Sequence, residues 1–404
     1  VSRLIFGVIS DNSKQLNRLI SSLKVSIRES GYLFDEYKLI VLQNGKNIKL
    51  ENSVGSLNIE FLKNKYRESI SKNRTYIQKY IFNNSQNGDT IWIVDDDLTF
   101  NRDIDYFKFI DKIKRSSRTD AIFGFVTGTP PLPFLSTLNS ELIDLLFNLQ
   151  HKKVGKEHRL KHNRRVKTKS VDYYYDNSLI NQQIKEPLYY LDGDFSRKIE
   201  TLSKGLNVSR TVEFKKKDIG RLGKTSIFRG GNTIIFNREL LKIPNYYFSE
   251  ISYNRRSDFN WAVINRDICG RELREVILPL QHNREDGNIS VEQNIQKIKA
   301  DIEGRIFYRV LEEILHNSSN KDIMRKFYVI SKNIFKKVKN SHKESLKLLY
   351  KIEKLSSRDS FIHLRQLRVI VKKEIKLLKR VELEIELKEL DISSIRKDIK
   401  ELFC

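Results

Sequence analysis

The sequence predicts an α/β protein, a mainly parallel sheet flanked by helices, followed by an all-α C-terminal module. Three observations carry this. Over the first hundred residues, short apolar runs alternate with helical spacings. Beyond about residue 290 the chain reads as helix throughout, with Lys- and Glu-rich faces. Glycine (17) and proline (6) are scarce in 404 residues, which excludes collagen-like and linker-dominated designs.

Leu4–Ile9 is the first strand, and Asp11-Asn12-Ser13 is a capping cluster for a helix with Leu16, Leu19, Ile20 and Leu23 on one face. Leu39–Leu42 forms a second strand that stops at the turn signal Asn44-Gly45. Leu57–Phe61 alternates as a third strand, and residues 70–82 have helical spacing through Ile77, Tyr80 and Ile81. Asn87-Gly88-Asp89 breaks the chain before the buried strand Ile91–Val94, which ends in Asp95-Asp96-Asp97. Ala121–Val126 is a further strand, running into a loop that holds Pro130, Pro131 and Pro133.

From about 150 to 225 the pattern is irregular and basic, with tyrosine islands at Tyr173–Tyr175 and Tyr189-Tyr190. Order returns with the strand Thr233–Phe236, a helix over Asp258–Ile268 and a strand Glu275–Leu280 leading to His282. Val381–Leu387 alternates strictly, as a strand would, although its neighbours favour helix.

Lys and Arg total 75 against 51 Asp and Glu, a formal net charge of +24, so the surface field attracts polyanions. Cys269 and Cys404 supply neither a disulfide framework nor a cysteine zinc site and fit a reducing compartment. No apolar run is long enough for a transmembrane helix, and no signal peptide opens the chain. The expected location is the cytoplasm, with peripheral association at the inner face of the membrane. Val1 stands first and the one methionine is Met324, so the sequence is expected to be part of a longer protein.

In an open parallel sheet, ligands bind beyond the carboxyl ends of the strands. Ser10-Asp11, Asn44 and Asp95-Asp96-Asp97 wait there. Carboxylates at i and i+2 offer hard oxygen ligands suited to Mg²⁺ or Mn²⁺ bridging a diphosphate. The competing reading is a solvated turn after a strand.

Phe6–Asp11, Leu39–Asn44, Ile70-Ser71-Lys72-Asn73-Arg74 and Val94–Asp97 occur in that order. Together they resemble the nucleotide-sugar-binding half of a GT-A-fold glycosyltransferase of the family-2 type. The resemblance makes Asp95-x-Asp97 the Asp-x-Asp motif, with Asp95 near the donor ribose, Asp97 on the metal and Asp96 between them in the donor site. It brings Ser10 and Asp11 to the nucleotide and Arg74 to the base or the diphosphate. Asn44 stands where an acidic residue usually reads the nucleobase. An amide both donates to and accepts from a base edge. Arg229–Phe236 looks like the family's glycine-containing strand, which implies that Gly230, Gly231 and Asn232 lie on the acceptor side with Trp261. Asp258 opens the following helix, where the inverting enzymes hold their general base. The rival role for Asp258 is N-capping of that helix. His282, after a late strand, matches the histidine that completes the metal shell with Asp95 and Asp97; its rival is a structural histidine.

Gly220–Thr225 ends like a phosphate-binding loop, but the first glycine would fall at Asp218, so the spacing fails. Nine cations lie among residues 152–169, against Glu157 alone, and attract phosphate-rich surfaces.

The expected protein is a metal-dependent inverting glycosyltransferase of the hexosyltransferase type. Its donor is a nucleotide-diphosphate sugar, its metal Mn²⁺ or Mg²⁺, and its acceptor a hydroxyl on a glycan, lipid or protein, as in polysaccharide or glycoconjugate synthesis. Residues 1–290 form the catalytic domain, with a basic insertion at about 150–225, and 291–404 the helical module, whose roles include docking on an anionic membrane surface or oligomerisation. Two other classes compete: a nucleotidyltransferase on a related fold, and a non-catalytic basic nucleic-acid-binding protein.

Overall fold

The structure is a computed structural model describing all residues except 1, 51–56, 65–66, 130–132, 152–159, 162–187, 191–194, 210, 215, 228, 246–255, 284–289, 317, 387–389 and 404. Most of the basic stretch, the Tyr173–Tyr175 island, and Pro130 and Pro131 lie outside the described residues.

The N-terminal part alternates as the periodicities predict: β1 (Arg3–Ser10), α1 (Ser13–Glu29), β2 (Glu36–Asn44), β3 (Leu57–Asn64), α2 (Ile70–Asn84) and β4 (Thr90–Asp95). Then come β5 (Leu98–Thr99), α3 (Tyr106–Ser116), β6 (Ala121–Gly128) and α4 (Phe134–His151). Short elements follow: β7 (Leu160–Lys161), β8 (Leu188–Tyr190), α5 (Phe195–Ser203), β9 (Thr211–Glu213) and β10 (Leu222–Thr225). After these come β11 (Asn232–Ile235), α6 (Ser257–Asp267) and β12 (Leu273–His282). Four helices complete the chain: α7 (Val291–Leu315), α8 (Asn320–Leu355), α9 (Phe361–Glu386) and α10 (Ile392–Phe403). The alternating segment from Val381 is therefore helical through Glu386, with Val381 and Ile385 buried one turn apart, the spacing of a helix rather than of a strand.

The described strands form a nine-stranded sheet in the order β10-β12-β6-β11-β4-β1-β2-β3, with β5 paired to β12. β3, β2, β1 and β4 run parallel, as do β12 and β6, while β11 lies antiparallel between β4 and β6. β7, β8 and β9 form a separate three-stranded sheet inside the basic insertion.

Alternation along β1 sends Leu4, Phe6 and Val8 to the face covered by α1 and α3, and Ile5 to the face covered by α2. Asn12 caps α1 by accepting from the amides of Lys14 and Gln15. Its buried stripe of Leu16, Leu19, Ile20, Leu23 and Ile27 contributes about 1.5–3 kcal/mol per side chain. On the opposite face, α2, α4 and α6 share one continuous hydrophobic cluster with α7 to α10. A Ser290–Gln293 capping box opens α7, and Arg256 beside α6 pairs with Asp301 of α7 at 2.9 Å. The helical tail thus packs directly behind the sheet that carries the candidate site.

Candidate active site

Parallel registry brings several chain ends to one edge of the sheet. Ser10 of β1 pairs with Gln43 of β2, and Ile9 with Asp95 of β4. On the other side of β11, His282 of β12 lies level with Gly128 of β6. Antiparallel β11 begins here, so the Asp95 amide donates to the Gly231 carbonyl at 3.0 Å. A Cβ on Gly231 would lie 1.9 Å from Asp95 Oδ2, which is why a residue without a side chain stands there.

Arg74, in the first turns of α2, reaches this edge almost fully buried. Its Nη2 lies 2.8 Å from Asp95 Oδ1 and its Nη1 2.7 Å from Asp258 Oδ1. Burial works against the Arg74 charge, but Asp258 and Asp95 outweigh it and raise its pKa further. Burial likewise works to raise the pKa of Asp258, and Arg74 and Arg229 override it, holding the carboxyl below its usual range. The N-cap position of α6 belongs to Arg256, whose φ of 71° ends the preceding chain without a side-chain cap bond. The Asp258 carboxylate is turned to Arg74 rather than used as that cap. The hydroxyl of Ser71 donates to that of Ser257 at 2.9 Å and ties α2 to the start of α6.

Arg229, which the resemblance places only at the start of the glycine-containing strand, is the second cation here. It lies 3.9 Å over the Trp261 ring and donates to Asn245 at 2.6 Å and to Gln78 at 3.2 Å. Burial, reinforced by the neighbouring Arg74, lowers its pKa to about 9, with Asp258 and Asp95 opposing. An isolated arginine beside a glycine pair gives no sequence signal of such burial.

Asp97 and His282 meet at the same edge, with Nε2 of the ring 2.8 Å from Asp97 Oδ2. His282 Nδ1 lies 2.5 Å from the Thr129 carbonyl. A carbonyl only accepts, so Nδ1 carries a proton, and Nε2 faces a second acceptor, the Asp97 carboxylate, a contact that requires a proton or a cation between the two. The Asn283 amide donates to the Asp97 carbonyl at 2.8 Å, and the Thr129 amide to the His282 carbonyl at 2.9 Å. Gly128 permits this approach with a φ of 90°, where a Cβ would meet the His282 carbonyl oxygen at 2.4 Å.

One carboxylate and one imidazole, whose second nitrogen is held by a backbone carbonyl, suit Mn²⁺ or Mg²⁺ as a partial shell. Asp95 does not join them, because Arg74 takes it. Among the described residues no group of three or more His, Cys, Asp or Glu could hold a metal ion.

Asp96 accepts a hydrogen bond from the Ser10 hydroxyl. Burial pushes the Asp96 carboxyl up to about 7; Asp97, Asp95 and Asp11 add to this and Ser10 opposes it. Asp11 pairs with Arg67 at 2.9 Å. Asn44 is turned to the neighbouring loop: its Nδ2 donates to the Glu68 carbonyl at 3.2 Å, and its Oδ1 accepts the Glu68 amide at 2.9 Å. Both ends of the amide expected to read a base therefore hold main chain.

Two expected acceptor-side residues are interior instead. Asn232 is buried, accepting from Trp92 Nε1 at 2.9 Å and donating to the Leu278 and Phe125 carbonyls at 2.9 and 3.1 Å. It stitches neighbouring strands because β11 runs between them. Trp261 is fully buried, with Nε1 donating to the Leu240 carbonyl at 3.2 Å and its face under Arg229. Gly230 borders open space.

No family model and no curated protein matches the sequence. Solved structures do match. One is Staphylococcus aureus TarS 1–349 in complex with UDP-GlcNAc, 11% identical, over 95% of this chain and 91% of that chain, with a TM-score of 0.39. Another is a mycobacterial protein, 13% identical, over 74% of each chain, with a TM-score of 0.33. At such scores the likeness assigns neither residues nor chemistry to this chain.

Proposed function

We propose that the chain is a metal-dependent inverting glycosyltransferase that moves a sugar from a nucleotide-diphosphate donor to a hydroxyl acceptor, with residues 1–290 as its catalytic unit. The observation that carries this reading is the Asp95–Arg74–Asp258 bridge standing beside the Asp97–His282 pair at one strand-end edge. The arrangement supplies an ionised carboxylate for an incoming alcohol next to two donors for a cation, which is the pair of tasks the reaction requires. A nucleic-acid-binding role would leave both buried clusters without a purpose.

In this reading Asp258 is the general base. It takes the acceptor hydroxyl's proton as the oxygen forms a bond to the anomeric carbon from the face opposite the leaving group. The bond from the anomeric carbon to the phosphate oxygen breaks, and the nucleotide diphosphate leaves with the electron pair. Asp97 and His282 would hold the Mn²⁺ or Mg²⁺, leaving other positions for phosphate and water. When bound, that cation neutralises charge on the departing diphosphate. Arg74 is a positioning residue, fixing Asp258 and Asp95 relative to each other and keeping Asp258 ionised. Ser10 and Asp96 line the donor side.

The test is calorimetric titration with UDP-, GDP- and dTDP-sugars, with Mn²⁺, with Mg²⁺ and with chelator, followed by product analysis of the anomeric configuration. One of these donors should bind in a metal-dependent way, and Asp97→Asn should weaken that binding. If no sugar nucleotide binds, or if Asp97→Asn and Asp258→Asn both transfer sugar normally, the reading fails.

A further inference from the structure

The inner and outer faces of α9 do different things. Leu364, Leu367, Val371, Leu378, Val381 and Ile385 are buried against the helical module. On the opposite side, positions 362, 365, 369, 372, 376, 380 and 383 are all exposed and recur at steps of three or four, so they form one stripe about 30 Å long. In order they are Ile362, Arg365, Val369, Lys372, Lys376, Arg380 and Leu383. The three apolar members are 62%, 62% and 59% exposed.

Among the described residues, the charges on this stripe have no carboxylate partner. Among the described residues, Arg365, Lys372, Lys376 and Arg380 enter no ion pair, and neither does the adjacent Lys379. Two acids of the same helix are engaged elsewhere: Glu382 by Lys339 and Glu384 by Lys299. At the N-terminal end of the stripe, Leu355, which ends α8, and Phe361, which opens α9, are also exposed.

We infer that the outer face of α9 docks the protein on an anionic lipid bilayer, with the helix lying flat in the headgroup layer. Charge complementarity selects a negative partner and disfavours a second copy of the same face. The bilayer is favoured over a soluble polyanion by Ile362, Val369 and Leu383. Apolar side chains placed in line with the cations lose water at the headgroup boundary, whereas a hydrated polyphosphate chain gains nothing from them. The inference is independent of the reaction proposed above, since it uses no residue of that site.

The full chain is tested by co-sedimentation with phosphatidylcholine vesicles, with and without phosphatidylglycerol, at low and high salt, and by binding to inorganic polyphosphate. Wild type should sediment with the phosphatidylglycerol vesicles and not with phosphatidylcholine alone. Combined Lys372→Glu, Lys376→Glu and Arg380→Glu should weaken this at least about tenfold. Combined Ile362→Ser, Val369→Ser and Leu383→Ser should weaken it several-fold and remove the part that survives high salt. All these side chains are exposed, and an unchanged circular dichroism spectrum confirms that the fold persists; Lys→Gln versions replace any charge-reversed variant that fails this check. The inference is overturned if wild type ignores anionic vesicles, or if both sets bind as wild type does. Polyphosphate bound as tightly as the vesicles, with no effect of the apolar set on either, also overturns it.

Discussion

Arg74 holds Asp258 in the interior: the two side chains meet at 2.7 Å while the other arm of the same guanidinium takes Asp95 at 2.8 Å. One cation thereby fixes the aspartate that ends β4 against the aspartate that opens α6. Removing it would leave the buried Asp258 carboxylate without its directly paired counter-charge.

Arg74→Gln should therefore cost about 3–5 kcal/mol of stability, read as a drop in chemical-denaturation midpoint. Arg74→Lys should recover only part of this, because an ammonium lacks the fork that spans both carboxylates. A variant as stable as wild type would show that the bridge carries little.

Asp258→Asn should leave sugar-nucleotide affinity unchanged while transfer falls about 10²- to 10⁴-fold, measured by titration and by product formation. The carboxyl is held below its usual range, so the folded state releases its proton more readily than the unfolded chain. Its activity should persist as pH falls through the ordinary carboxylate range, whereas its contribution to stability should begin to decline there and be gone once pH falls below the lowered value. In Arg74→Lys that acidic limb should move to higher pH.

At the second cluster, His282→Gln and Asp97→Asn should each reduce metal-stimulated donor affinity about 10- to 100-fold. Affinity measured in chelator should match wild type. Equal losses with and without metal would assign the pair a purely structural role.

Gly231→Ala tests the close approach of β11 to β4. The added methyl must displace the Asp95 carboxylate, so we expect a loss of about 1–3 kcal/mol and weakened donor binding. Gly230→Ala, one residue earlier and facing open space, is the control expected to leave stability unchanged.

Glu374 is fully buried within α9, and neither carboxyl oxygen has a hydrogen-bond partner among the described residues. Burial pushes it up to about 9. The folded state then keeps a proton that the unfolded chain has already released. Stability is greatest below the ordinary glutamate range and declines as pH rises towards about 9. Glu374→Gln should remove a decline on the order of a few kcal/mol, seen as a difference in melting temperature that widens from pH 6 to 8.5.

Much of the fold was legible because it is written in local periodicity. The strands through Ile91–Val94, the helices at Leu16–Leu23 and Ile77–Ile81, and the helical tail follow from spacing and capping residues that act within a few turns. α3 and α4 were not anticipated, although their capping and amphipathic signals are present. β5 and β10 are two and four residues long and exist only because β12 offers them an edge. Apart from the meeting of Asp97 with His282, which the resemblance implies, the candidate site is legible as residue types at strand ends and not as pairings. The resemblance implies ligand-side roles for Asn44, Asn232 and Trp261, whereas in the structure they bond to Glu68, Trp92 and Leu240.

The sequence by itself determined where strands and helices form and that acidic groups gather where parallel strands end, because side-chain periodicity and turn chemistry act over short stretches of chain. Only the tertiary structure decided that Arg74 lies between Asp95 and Asp258, that Asn44 is held by Glu68, and that Arg229 is buried over Trp261. Those relations depend on which distant elements share a dry interior, where each charge must find its counter-charge or bonding partner among whatever the packing brings within about 3 Å.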